Sequence, residues 1–112
     1  MKKMNLVVNL EGLDLNEEDK KLSSVEIITR VITSVMLAYS SQVVRGLPQT
    51  ERRQYYRLDD QFEQAIKNKI TEIELDDTDA GFIRKCFREA KLNPNDLLKR
   101  VELDVIDVIK DR

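Results

Sequence analysis

From Ser23 to Val44 the chain carries only two charged residues, Glu26 and Arg30, although 36% of all its residues are charged. Within that stretch Val25, Ile28, Val31, Ile32, Val35, Met36 and Tyr39 recur at helical spacing and form a broad apolar face. A helix that shuns charge around its circumference is one that its neighbours enclose. Enclosure also explains how so many β-branched residues are tolerated, because packing overrides their modest helix preference. Ser23 and Glu26 have the spacing of a capping box, in which each satisfies a free amide of the first turn. The sequence therefore predicts a central helix running to about Val44, and the remaining elements must be arranged around it.

"MNLVVNL" (4–10) precedes this helix and alternates, with Met4, Leu6, Val8 and Leu10 on one side, which is the period of a half-buried strand. After the helix, Gly46 offers a left-handed stop and Pro48 prevents continuation. Thr50 is the expected cap of a second helix over about 51–68, striped by Tyr55, Leu58, Phe62, Ala65 and Ile66. "ITEIEL" (70–75) alternates again and predicts a second strand able to pair with the first. A third helix is expected over about 78–91, with Phe82, Ile83, Cys86, Phe87 and Ala90 on its inner face. Asn93 as cap and Pro94 at the first helical position predict a fourth over about 94–110, seamed by Leu98, Val101, Val105 and Val108. The expected fold is α+β and predominantly α: one domain over 1–112, about four helices packed with a small two-stranded element, in the order β-α-α-β-α-α.

A chain of 112 residues that is 41% apolar can bury a core, although its size leaves little stability in reserve. The formal charge of −2 argues against indiscriminate nucleic-acid binding, which needs a basic face. Cys86 is the only cysteine, so no internal disulfide can form and a reducing compartment is expected. The N-terminal apolar run is too short for a signal peptide, and no stretch approaches the ~18 apolar residues of a membrane span. The expected location is cytoplasmic, without a membrane partner.

The aspartates of "IELDDTDAGFIRKCF" (73–87) resemble a calcium loop only at first sight. Aligning Gly81 with the loop glycine places Ala80 and Phe87 at ligand positions, where neither side chain offers an oxygen. Asp76 or Asp77 as a helix cap, with Asp79 in the first turn, explains the same residues. Glu72, Glu74, Asp76, Asp77 and Asp79 form an acidic cluster whose strand members are expected to guard a sheet edge. Cys86 lies in an apolar stripe and is expected to fill the core. The chain has no histidine, no second thiol and no glycine-rich phosphate loop, so no catalytic group, metal or cofactor is assigned.

The remaining candidates are surfaces. "RGLPQTERRQYYRLDD" (45–60) sets Arg45, Arg52, Arg53 and Arg57 among Tyr55 and Tyr56, with Glu51 as the only acid before Asp59. Such a cluster can contact an acidic protein or grip a phosphate backbone and stack on bases. Its arginines can equally pair with Glu51, Asp59, Asp60 or the acidic strand. Leu103 falls on the charged side of the last helix, and Leu37 and Val44 lie opposite the main face of the first. Several such residues together can mark an interface.

In "ERRQYYRLDDQFEQAI", "IELDDTDAGFIRKCF" and "NPNDLLKRVELDVI", the order of features over residues 51–106 resembles a group of small phage and prophage proteins. The resemblance implies a compact accessory protein of a bacterial virus and carries over no site residues. The expected function is that of a non-enzymatic accessory or regulatory protein acting by protein–protein binding, a second copy of the chain being one candidate partner. The expected contact residues are Arg52, Arg53, Tyr56, Arg57 and Leu103. The alternative is a nucleic-acid-binding regulator using the cluster at 45–57.

Overall fold

In a computed structural model, which describes residues 2–13, 15, 17–43 and 45–111, the elements follow the expected order with one addition at the end. They are β1 (Lys2–Asn5), α1 (Ser24–Gln42), α2 (Gln49–Lys67), β2 (Glu72–Leu75), α3 (Asp77–Glu89), α4 (Asp96–Val101) and β3 (Lys110–Asp111). The fold is α+β and predominantly helical. Val44, the expected end of the first helix and one of its outward apolar residues, lies outside the described residues.

The central position of α1 follows from its composition, for α2, α3 and α4 all pack against it. Ser23 caps it, its hydroxyl accepting from the Glu26 amide at 3.2 Å. Ile28, Ile32 and Met36 are fully buried and share a single core with Met4, Leu6, Leu58, Phe62, Ile83 and Val101. Tyr39 meets Phe82 edge-on at 6.2 Å, a favoured aromatic geometry.

β1 pairs antiparallel with β2, Met4 opposite Ile73 and Lys3 opposite Glu74. Met4, Ile73 and Leu75 face the core, and on the outer side Lys3 reaches Glu72 at 3.5 Å. Strand β3 adds to the other edge of β1, giving the sheet order β2-β1-β3. β1 is shorter than its alternation suggests. The Asn5 side chain accepts from the Val7 amide at 3.0 Å, an Asx bond that turns the chain. Val8 then bonds the Ser24 hydroxyl at 3.2 Å instead of a strand. The pairing reaches one residue past β1, the Leu6 amide donating to the Thr71 carbonyl at 2.8 Å, and alternation beyond that point reflects burial and not a longer ladder.

Two helix starts differ from expectation. α2 begins at Gln49 with Pro48 as its cap residue, so Thr50 lies inside the first turn and caps nothing. α4 begins after Asn95, not Asn93, the Asn95 side chain accepting from Leu98 N at 2.8 Å. The fourth helix also ends early. After Val101 the backbone widens into a π turn over Glu102–Ile106, closed by the Asp107 amide on the Glu102 carbonyl at 2.9 Å. That wider turn shifts the phase of the pattern. Val101 and Val105 stay buried, but Ile106 and Ile109 complete the seam and Val108 is left 45% exposed.

Candidate binding surface

The arginine–tyrosine cluster is divided by the fold. Arg57 projects from α2 onto the start of α3 and grips Asp79 with both arms, Nη2–Oδ1 at 2.5 Å and Nε–Oδ2 at 3.2 Å. Asp79 is only 4% exposed, so Arg57 is a tie between two helices. The bidentate pair raises the Arg57 pKa further above its ordinary value, chiefly through its hydrogen bond to Asp79. Arg52 turns back to the Leu47 carbonyl at 3.4 Å. Arg53 and Tyr56 remain outward, Tyr56 65% exposed and edge-on to Tyr55 at 5.9 Å. Of the five sequence-expected contact residues, four stand on α2 and one on the turn after α4, and two of them already have partners within the chain. Arg57 is occupied, and Leu103 projects from the π turn after α4, 61% exposed.

The acidic cluster is similarly dispersed by its local roles. Asp76 caps α3, accepting from the Asp79 amide and the Thr78 hydroxyl, each at 2.7 Å. Those bonds, the Thr78 hydroxyl first, hold the Asp76 carboxyl below its usual range. A depressed carboxyl contributes stability above its unfolded pKa of ~3.9, and that contribution is lost as pH falls through the lowered folded value. Asp76→Ala is expected to cost about 1 kcal/mol in a urea titration at neutral pH, and Asp76→Asn much less, because asparagine still caps. Glu72 stands exposed on β2, an edge strand of the sheet. Among the described residues no three His, Cys, Asp or Glu side chains are placed to hold a metal ion.

Beneath α2 a second ion pair is partly enclosed. Glu51 receives Lys85 at 2.9 Å, and the Lys85 ammonium lies 5.6 Å from the centre of the Tyr39 ring. The Glu51 and Tyr39 contacts, Glu51 first, raise the Lys85 pKa. Cys86 is fully buried beside this group, and burial pushes its thiol up to about 12. A thiol so held is protonated and inert at neutral pH.

A cleft of about 250 Å³ opens beside α1, where the chain between α3 and α4 passes over it. Ile27, Val31, Val35, Leu92, Leu97 and Leu98 form its apolar walls, and Asp19, Arg30, Ser34, Asn93 and Asn95 supply polar groups. Among the described residues Arg30 makes no ion pair. One turn along the same stripe of α1, Leu37 stands 58% exposed, with Ser41 beyond it. Between Val31 and Gln42 this helix has no charged residue on any side. The cleft was not visible in the sequence. Its one signal was Leu97, an apolar residue outside the predicted seam of the last helix.

No helix among the described residues is long and apolar enough to cross a membrane. Compared with known proteins, the chain matches no family model, no curated protein and no solved structure.

Proposed function

We propose that this protein works by binding another protein, as an accessory or regulatory factor, and that the outer face of α1 with its adjoining cleft is the contact surface. The observation that carries this reading is Leu37, 58% exposed on a helix face without charge from Val31 to Gln42. In a chain where charge is abundant, a helix face kept for water alone would carry it. Interface centres are instead depleted in charge and supplied with apolar side chains. A role in a bacterial virus is what the sequence resemblance adds. With Arg57 engaged by Asp79 and Arg52 bonded to the Leu47 carbonyl, Arg45, Arg53 and Tyr56 remain as the outward part of the basic cluster, and this reduced basic surface supports protein over nucleic acid as partner.

Photo-crosslinking from position 37 tests this, with exposed Lys67 at the far end of α2 as control. The expected result is a discrete protein adduct at 37 in lysate of the source cells, absent at 67 and lost with Ser34→Arg. Equal labelling at both positions overturns the proposal. Nucleic-acid binding that weakens steeply with salt and disappears in Arg53→Glu would favour the alternative instead.

A further inference from the structure

The cleft beside α1 and the π turn after α4 are complementary in shape class and in charge. The cleft offers apolar walls, including Val31, Leu97 and Leu98, with Arg30 beside them. The π turn presents Leu103, 61% exposed, between Glu102 and Asp104. Arg30 and Glu102 each lack an ion-pair partner among the described residues, and half-exposed Asp104 has only a 3.8 Å contact with Arg100. Asp19 also borders the cleft but has an interaction of its own.

We propose that the occupant of the cleft is a second copy of this chain, which inserts Leu103 between the apolar walls while Glu102 and Asp104 meet Arg30. A large exposed apolar residue flanked by carboxylates is the chemistry that an apolar hollow beside one free guanidinium selects. Burial of Leu103 supplies the attraction, and the opposite charges set its direction and exclude a basic partner. The inference deepens the protein-binding reading by naming one partner of that surface. Socket and knob are different surfaces of the same chain, so the contact is heterologous. It can therefore be tested by separating the two halves.

The experiment uses the purified full chain in light scattering from micromolar to millimolar concentration. Leu103→Asp removes the knob, and Arg30→Glu combined with Ser34→Tyr blocks the socket. All these positions are exposed, so the fold is expected to survive, which circular dichroism and thermal melting verify. The wild-type protein is expected to gain mass with concentration, and each variant alone to remain monomeric. An equimolar mixture of the two variants should recover a pair, because one still has a socket and the other a knob. In that mixture, association should weaken about twofold to fivefold when salt is raised from low to molar strength, since exposed charges guide it. A wild-type protein that stays monomeric at millimolar concentration overturns the proposal. So does association that persists in Leu103→Asp, or a mixture that stays monomeric. The crosslinking test above is separate, because an adduct whose added mass differs from that of this chain reports another partner whatever the light scattering shows.

Discussion

Arg57→Ala should lower stability by about 2–3 kcal/mol, somewhat less than the ~3–5 typical of breaking a fully buried pair. The asymmetry of the pair sets that figure. Asp79 is 4% exposed, whereas the Arg57 side chain is about half in water. Removing the guanidinium strands a carboxylate inside the protein, but removing the carboxylate lets the guanidinium hydrate. Asp79→Ala should therefore cost less than Arg57→Ala, and the double variant should be no worse than Arg57→Ala alone. Arg57→Lys should fall between, because an ammonium keeps the charge but not the two-armed geometry. Thermal melting of the four proteins checks this. With roughly 4–8 °C per kcal/mol for small domains, Arg57→Ala should melt about 10 °C or more below the parent. Equal losses in the two single variants would contradict this asymmetry, and a double variant that loses the sum of both would contradict the assignment of Arg57 as the tie between α2 and α3.

Above pH 9 the protein should lose stability by about 1.4 kcal/mol per pH unit, with Cys86 as the principal cause. Burial raises the Cys86 thiol to about 12, while in the unfolded chain it ionises near ~8.5. A group whose folded pKa is raised contributes stability that is complete below the unfolded value and lost as pH rises toward the folded one. Between these limits only the unfolded state releases the proton, so unfolding gains. Tyr55, raised chiefly by burial, and Lys85, raised by Glu51, act in the same direction at higher pH. Over three pH units the loss approaches about 4 kcal/mol, a large part of the ~5–15 that holds a domain together. Urea midpoints from pH 7 to 11 should fall steeply for the parent. In Cys86→Ala they should start lower, because of the cavity, and decline less. Thiol reagents should label Cys86 only as fast as the protein unfolds.

The elements that the sequence predicted well are those whose signals are local and repeated. α1 was legible because its lack of charge has one physical explanation, and α3 because Asp76 sits at a fixed offset from the Asp79 amide that it caps. The extent of β1 was less legible, since alternation records burial, and part-buried Val8 continues the pattern after the last ladder bond at Leu6. The last helix was misjudged in length because a π turn depends on how Val105, Ile106 and Ile109 seat against the core, which no spacing rule reports. The surface was only partly legible. Pairing of the arginines with nearby acids was one reading of the sequence, but the partner of Arg57 lies 22 positions away on another helix, and Leu37 could be marked as outward but not as the neighbour of a cleft.

β1 lies in the middle of the sheet, yet both strands that flank it come from beyond residue 70. The connection between α1 and α2 thus separates one half that owns the middle strand from another that owns both edges. Cut there, neither fragment would hold a sheet of its own, and each would expose apolar surface meant for the other. The molecule is in this sense a non-covalent marriage of two halves threaded on one chain, and ordering of either half is bound to ordering of its mate.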